Sequence, residues 1–265
     1  NRYFRRALFA MTATASYPSL KDRVVFVTGG GSGIGAAIVE HFCQQGAKVG
    51  FVDIDDAASN ALVESMAAAG HNKPVYVNCD LRDIEALRDA IGKVRAALGP
   101  ITVLINNAAN DQRHAIDEVT PEYWDDRVAV NLKHQFFAAQ AIYPDMEAAG
   151  GGTIVNLGSV SWIIGQGGMP CYTTSKSAVA GLTRSLARDL GPMNIRVNCV
   201  VPGWIMTQRQ LDLWLTPEGE AELMERQCLK RKMMPADIAR AVLFFAAEDS
   251  SGCTNQSYIV DGGWV

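Results

Sequence analysis

The chain has 265 residues, of which 48% are hydrophobic and 20% charged, and its formal net charge is -4. This composition is typical of a globular protein, and the length accommodates one large α/β domain. The acidic balance argues against nucleic acid or an anionic membrane as a partner, and no apolar run reaches the roughly 18 residues that a membrane-spanning helix needs.

The N-terminal segment differs in composition from the rest of the chain. Its first ten residues contain three arginines and no acid. That composition is compatible with a transit peptide, but we interpret the segment as a remnant of expression cloning, with Met11 as the natural start. We therefore treat residues 1–18 as an N-terminal extension.

From Arg23 onward, short β-branched runs alternate with longer helical patterns. The predicted strands are 24–28, 49–53, 75–78, 103–106, 153–157, 195–201 and 258–260. The predicted helices are 34–45, 57–69, 84–98, 121–149, 172–190 and 235–247. Four glycines are suited to cap helix ends: Gly46, Gly70, Gly99 and Gly191. The alternation predicts a single α/β domain over 19–265, with a doubly wound (Rossmann) parallel sheet of about seven strands and helices on both faces.

A polar stretch around 208–234 interrupts this pattern between a late strand and the last helix. It contains helical signals and a tryptophan. An insertion at this place predicts a lid over a substrate site.

A glycine-rich segment, Thr-Gly-Gly-Gly-Ser-Gly-Ile-Gly at 28–35, follows the first strand and opens the first helix. Glycines here let the backbone turn sharply and approach a pyrophosphate, whose charge the helix N-terminus favours. Because a strand precedes it and a helix follows it, a loop without a ligand is the weaker interpretation. The predicted cofactor-binding residues of this segment are Gly29, Ser32, Gly33, Ile34 and Gly35.

Asp53 ends the second strand, at the place where an acid binds the adenosine ribose hydroxyls of a dinucleotide. A carboxylate there repels the 2′-phosphate of NADP. Neither the glycine segment nor residues 53–55 supply an Arg or Lys to hold that phosphate. The sequence therefore predicts NAD in preference to NADP.

The next two strands also end in residues that suit a ligand edge. Asp80 and Leu81 follow the third strand, where Asp80 either contacts the adenine or caps the helix that begins near Asp83. Asn107 and Ala108 follow the fourth strand, where a small side chain permits close approach of a flat ligand. All four are predicted to lie at the cofactor site.

Tyr172 and Lys176 lie four residues apart in a predicted helix, and therefore on one face of it. A free tyrosine has a pKa of about 10, and a cation beside it favours the phenolate. A lowered pKa allows a tyrosine to take a proton from an alcohol. Because Tyr-x-x-x-Lys is frequent by chance, its weight depends on the other motifs.

Together these motifs resemble the short-chain dehydrogenase/reductase family over nearly all of residues 20–265. The resemblance implies that Tyr172 is the general base, that Lys176 lowers its pKa and binds the nicotinamide ribose, and that Ser159 holds the substrate oxygen. It also implies that Asn131 holds a water in a proton relay. Ala109 departs from the family pattern, which has glycine there. The remaining residues implied to contact the cofactor are Pro202, Gly203, Ile205 and Thr207.

Several segments, among them 110–114 and 216–221, more closely resemble the bacterial D-xylose 1-dehydrogenases of this family. The implied reaction is NAD-dependent oxidation of an aldose at C1 to the aldonolactone, the aldose being a pentose or 6-deoxyhexose such as D-xylose, L-arabinose or L-fucose. The candidate substrate residues are Asn110, Ser159, Ser161, Gln166, Tyr172 and Trp204. A loop role for Asn110 and Gln166, and a core or interface role for Trp204, stay open.

Two other functions are compatible with the motifs. One is a dehydrogenase for another secondary alcohol or ketone, such as a polyol, a steroid or a 3-oxoacyl thioester. The other is an NAD-binding sensor without turnover, against which the intact Ser, Tyr, Lys and Asn set argues.

The resemblance also implies a homotetramer. Helices at 123–149 and 172–190 are expected in one interface and the C-terminal segment in another. Six cysteines without a Cys-x-x-Cys pair favour reduced thiols in the cytoplasm, and four histidines without ligand spacing predict no metal site.

Overall fold

The computed structural model describes residues 14–265, so the interpretation of residues 1–10 and of Met11 lies outside the described residues. Within them, seven parallel strands form one sheet in the order β3-β2-β1-β4-β5-β6-β7. The strands are β1 Val24–Thr28, β2 Lys48–Asp53, β3 Val75–Asn78, β4 Val103–Asn106, β5 Gly152–Leu157, β6 Ile195–Pro202 and β7 Ser257–Val260. The predicted single-domain doubly wound fold is confirmed.

The helices that cover the two faces of the sheet are α1 Gly33–Gln44, α2 Asp56–Ala68, α3 Ile84–Leu98, α4 Pro121–Val128, α5 His134–Ala148, α6 Pro170–Leu190, α7 Gln208–Leu213, α8 Pro217–Arg226 and α9 Pro235–Ala246. In the described chain, no helix has the length and apolar character to cross a bilayer.

The central strands are apolar along their length because helices cover both faces. In β1, Val25 and Val27 belong to the core that includes α1 and α9, while Val24 and Phe26 belong to the core that includes α3 and α5. Strand order reverses between β1 and β4, so the connections from these two strands leave in opposite directions. A crevice opens at their carboxyl ends, where ligands bind in sheets of this type.

Two predicted helix features need correction. The helix predicted over 121–149 is interrupted by a π-helical turn, Ala129–Lys133, between α4 and α5. Such a turn holds one extra residue, and here the side chain of Asn131 bonds to a neighbouring loop. Gly191 is the C-cap residue of α6, as predicted, but its φ of -54° is not left-handed, because the chain continues into a 3₁₀ turn. Asn194, with φ of 58°, ends that turn.

The segment predicted as a lid carries α7 and α8, whose N-caps are Thr207 and Thr216. Each threonine hydroxyl accepts a backbone N–H of the first helical turn. Both helices lie at the carboxyl edge of the sheet, where residues from each line the main cavity.

Candidate active site

A cavity of about 630 Å³ lies at the carboxyl edge of the sheet. Its walls come from the start of α1, the loops that follow β4, β5 and β6, the start of α6, and the α7–α8 segment. This size is within the usual range of a small-molecule or cofactor pocket. Among the predicted site residues, those that line it are Ser32, Gly33, Ile34, Gly35, Asn107, Ser159, Ser161, Gln166, Tyr172, Lys176, Pro202, Gly203, Trp204, Ile205 and Thr207.

The glycine loop at the base of the cavity is held by the neighbouring strand β4. The Asn107 side chain donates to the carbonyls of Thr28 (3.0 Å) and Gly29 (2.9 Å). A Cβ at Gly35 would lie 1.8 Å from the Gly29 carbonyl oxygen, and one at Gly29 would lie 2.9 Å from Ala108 Cα. The glycines thus permit a tight backbone turn that a side chain would disrupt, and such a turn at a helix N-terminus fits a pyrophosphate.

Asp53 is fixed beside this cradle. Its Oδ2 accepts from the Gly31 N–H at 2.8 Å, and its Oδ1 accepts from the N–H groups of Ile54 (2.8 Å) and Asp55 (3.1 Å). None of the ion pairs among the described residues involves Asp53. The end of β2 therefore carries a negative charge, and no cation among the described residues pairs with the Asp53 carboxylate.

Asp80 does not cap helix α3, so that alternative is wrong. Asp83 is itself the N-cap, since its carboxylate accepts from the N–H groups of Glu85 (3.0 Å) and Ala86 (3.1 Å). Asp80 instead pairs with Arg82, whose guanidinium also reaches Asp126 at 2.8 Å. The Leu81 side chain is buried in the core beneath, and neither Asp80 nor Leu81 lines the cavity.

Tyr172 and Lys176 lie on the first turns of α6, which begins with Pro170 at a position where a missing N–H costs nothing. The buried Lys176 Nζ donates to the Leu157 carbonyl at 2.8 Å and lies 5.7 Å from the centroid of the Tyr172 ring. Ser159 follows β5, and its hydroxyl accepts from the Ser161 N–H at 3.2 Å. The fold thus brings the predicted serine, tyrosine and lysine to one cavity wall.

The electrostatics of the tyrosine differ from the expectation. Burial, and then the charge of Asp111, raise the pKa of Tyr172 to about 12, while the Ser159 hydroxyl acts to lower it. Burial lowers the pKa of Lys176 to about 8. The cost of burying a phenolate and the charge of Asp111 therefore outweigh the groups that favour the phenolate, and the lowering of this pKa by Lys176 stays a prediction.

Asn131 is buried in the π turn, does not line the cavity, and bonds to the loop after β4. Its Oδ1 accepts from the Asn110 N–H at 2.8 Å, and its Nδ2 donates to the carbonyls of Asn110 (3.1 Å) and Arg127 (2.9 Å). Asn110 does not line the cavity; its side chain accepts from the Gln112 N–H at 3.0 Å. Asn131 therefore fixes the path of this loop, and Asn110 takes the loop role.

The other predicted substrate residues line the cavity in different ways. Ser161 is buried with no partner for its hydroxyl, while Gln166 lies on the exposed turn before α6. The Trp204 indole donates to Gln210 Oε1 at 2.9 Å, which ties it to α7. Trp204 is therefore part of the cavity wall.

Among the cavity residues that the sequence analysis did not assign are Asp111, Arg113, Gln210, Trp214 and Trp264. Asp111 and Arg113 are two residues apart, and side chains at this spacing face the same side of an extended segment. This spacing could have indicated that both face the cavity. The C-terminal Trp264 was expected in an interface, and no local pattern relates it to a cavity formed by distant segments.

The chain is similar to a protein family, to named dehydrogenases and to solved structures. A family model described as enoyl-(acyl carrier protein) reductase matches residues 29–265. A protein named "Probable galactose dehydrogenase" from Rhizobium meliloti is 49% identical over 94% of this chain and 98% of its own length. The D-xylose 1-dehydrogenase of Caulobacter vibrioides is 48% identical over 95% of this chain and 99% of its own. A 3-oxoacyl-[acyl-carrier protein] reductase from Brucella melitensis, solved with bound NAD, superposes with a TM-score of 0.84 at 33% identity, covering 94% of each chain.

Proposed function

Because the chain belongs to the short-chain dehydrogenase/reductase family and is an oxidoreductase, we propose that it oxidises an aldose at C1 to the aldonolactone with NAD. The expected substrates are pentoses and 6-deoxyhexoses such as D-xylose, L-arabinose and L-fucose, and one relative's name adds galactose. The observation that carries the proposal is that Ser159, Tyr172 and Lys176 meet in a cavity whose other walls present polar and tryptophan side chains. Polar groups for hydroxyls and a flat apolar wall are what a sugar ring requires.

The chain's own residues supply the proton chemistry. Oxidation removes the proton of the C1 hydroxyl and a hydride from C1, and forms the carbonyl of the lactone. A bound nicotinamide supplies the hydride acceptor. Tyr172 accepts the hydroxyl proton, Ser159 holds the same oxygen by a hydrogen bond, and Lys176 supplies positive charge beside the phenol.

The preference for NAD rests on the charge at the end of β2. Asp53 is held by backbone N–H groups next to the glycine loop, and Asp55 and Asp56 follow it. The carboxylate of Asp53 suits the ribose hydroxyls of NAD, whereas three acids oppose the 2′-phosphate of NADP.

The test is an initial-rate panel of D-xylose, L-arabinose, D-glucose, D-galactose and L-fucose with NAD and with NADP, following the absorbance of the reduced nicotinamide. We expect turnover of at least one aldose, with NAD preferred. Turnover of a polyol, steroid or 3-oxoacyl thioester with no aldose active would refute oxidation at C1. Absence of turnover with every substrate would favour a sensor.

We further propose that the protein is a homotetramer. Trp124 on α4 and Phe136 on α5 expose large apolar surface on one side, and Tyr258 and Ile259 of β7 do so on another. Two separate apolar faces suit two kinds of interface. Light scattering of the purified protein tests this, and a monomeric mass would refute it.

The proposed location is the cytoplasm. All six cysteines are free, and four of them are buried. Unpaired thiols suit a reducing compartment. Cell fractionation with an antibody to the protein tests the proposal, and recovery from an oxidising compartment would refute it.

A further inference from the structure

The loop after β4, residues 110–114, forms a rigid wall of the cavity. Asp111 and Arg113 line the cavity, whereas Asn110, Gln112 and His114 do not. Asn131 bonds both backbone groups of the first loop residue. At the other end, the His114 N–H donates to the Gly168 carbonyl at 2.9 Å. The Asp111 carboxylate and the Arg113 guanidinium are therefore held at fixed positions facing the cavity.

The Asp111 carboxylate is held by two side chains of helix α7. Its Oδ1 accepts from Arg209 Nε at 3.1 Å, and its Oδ2 accepts from Gln210 Nε2 at 2.7 Å. A carboxylate has about four lone-pair positions, so each oxygen can accept another hydrogen. The charge of Asp111 reaches Tyr172, so it lies on the same part of the cavity as the predicted catalytic base.

Beside this acceptor, donors are left without partners. The Arg113 guanidinium stacks over the Trp214 ring, with its Cζ 5.1 Å from the ring centroid. Arg113 Nε and Trp214 Nε1 are both buried and have no hydrogen-bond partner, as is also true of Ser161 Oγ and Trp264 Nε1 in the same cavity. Buried polar atoms in native proteins are nearly always bonded, and these four belong to residues that line one cavity, so this wall has donors and a hydroxyl that become available to a ligand when the side chains adjust around it.

The chemistry of this set matches hydroxyl groups. Three of the four open atoms are N–H groups, which can only donate, and Asp111 can only accept. A hydroxyl does both, because it donates its hydrogen and accepts on its oxygen. A ligand with several hydroxyls on neighbouring carbons therefore satisfies the acceptor and the donors together, and an apolar ligand leaves all of them unbonded.

On the basis of the proposed function, we propose that Asp111 is the specificity-determining residue of this site, accepting hydrogens from ring hydroxyls of the sugar while the stacked Arg113–Trp214 pair donates to their oxygens. The geometry selects polyhydroxylated substrates over apolar ones.

The test is a cycle that alters the acceptor and removes the hydroxyl in turn. Asp111→Asn preserves shape, removes the charge and replaces one acceptor oxygen with an NH2 donor. We expect its kcat/KM for D-xylose to fall by about 10-fold or more, mainly through KM, with NAD affinity unchanged. Among the 2-, 3- and 4-deoxy sugars, at least one should be about 10-fold poorer than D-xylose for the wild type, and that penalty should disappear in Asp111→Asn.

The matched control is Asp212→Asn. It neutralises an exposed acid of helix α7, whose carboxylate bonds to Gln208. It should leave KM and every deoxy-sugar penalty unchanged. Arg113→Lys keeps the charge but loses the flat stacked group, and it should also raise KM. This variant decides the question if Asp111→Asn does not fold, as judged by NAD binding and the unfolding midpoint.

The outcomes separate the two proposals. If the wild type oxidises an aldose and every deoxy-sugar penalty is the same in Asp111→Asn, the role of Asp111 is refuted while the proposed function stands. If the wild type oxidises a polyol and no aldose, oxidation at C1 is refuted, and the same cycle with deoxy polyols decides the role of Asp111. Turnover of apolar alcohols alone would refute both.

Discussion

The proposed preference for NAD gives the sharpest prediction, because Asp53 is the acid bonded to the glycine loop. In Asp53→Ala, the carboxylate beside the glycine loop is lost. Three of its lone-pair positions are occupied by the N–H groups of Gly31, Ile54 and Asp55, which leaves about one for a ribose hydroxyl. We expect NAD to bind more weakly and NADP to bind better.

The magnitude follows from two contributions. One hydrogen bond to a charged acceptor is worth about 1.5–3 kcal/mol, which is a loss of roughly 10- to 150-fold for NAD. A unit charge about 5 Å from another in water is repelled by about 0.8 kcal/mol, so a nearly dianionic phosphate gains about 1–2 kcal/mol when Asp53 is removed. The ratio of kcat/KM for NAD to that for NADP should therefore fall by about 100-fold or more.

The assay compares kcat/KM for both cofactors at saturating sugar and fixed ionic strength. Asp55→Asn is the matched control, because it removes a neighbouring charge, while asparagine still caps α2 by accepting the Ala58 N–H. It should change the ratio by less than about fivefold. The assignment of Asp53 fails if Asp53→Ala leaves the ratio within about threefold of wild type, or if Asp55→Asn reproduces the full effect.

Three further predictions concern the buried groups around the base. Tyr172→Phe should lower kcat by at least about 1,000-fold, while NAD binding measured by fluorescence titration is retained. Substantial remaining turnover would show that Tyr172 is not the general base. Asp111→Asn should move the acid limb of the oxidation pH–rate profile to lower pH, because Asp111 raises the pKa of Tyr172; a limb that stays in place would contradict this cause. Burial lowers the pKa of His134 to about 4, so its contribution to stability is complete above its unfolded pKa of about 6.5 and is lost as the pH falls toward 4. Between pH 7 and 5 the wild type should lose about 2 kcal/mol more than His134→Gln in urea unfolding, and equal losses would refute it.

Some parts of the site could be predicted from sequence because a short motif determines where its residues lie in a doubly wound fold. An apolar run followed by a glycine loop places residues 28–35 at the crevice, whichever side chains lie elsewhere. Lys176 follows Tyr172 by one helical turn, so their common face needs no tertiary information. The predicted strands therefore lie within about two residues of the observed ones, and the predicted serine, tyrosine and lysine meet.

The parts that could not be predicted depend on distant segments meeting. Trp214 gains its role only because α7 folds back over the loop that carries Arg113, about 100 residues earlier. Asn131 was assigned to a proton relay, yet its side chain also holds that loop, a task that only the π turn makes possible. Periodicity could not reveal the turn, because one extra residue leaves the apolar pattern nearly continuous.

The pKa of Tyr172 is a third such case, and it relates catalysis to cofactor binding. At a pKa of about 12, the phenolate fraction at pH 7 is on the order of 10⁻⁵, which is too small for a general base. Bringing the pKa to about 8 requires about 5 kcal/mol of stabilisation for the phenolate. Lys176 cannot supply all of it, because its own ammonium is buried, has its pKa lowered to about 8 and is bonded to Leu157. An oxidised nicotinamide, if bound in the cavity, would carry a positive charge that also favours the phenolate. Loss of the proton from the substrate hydroxyl should therefore become easier when an oxidised cofactor is bound.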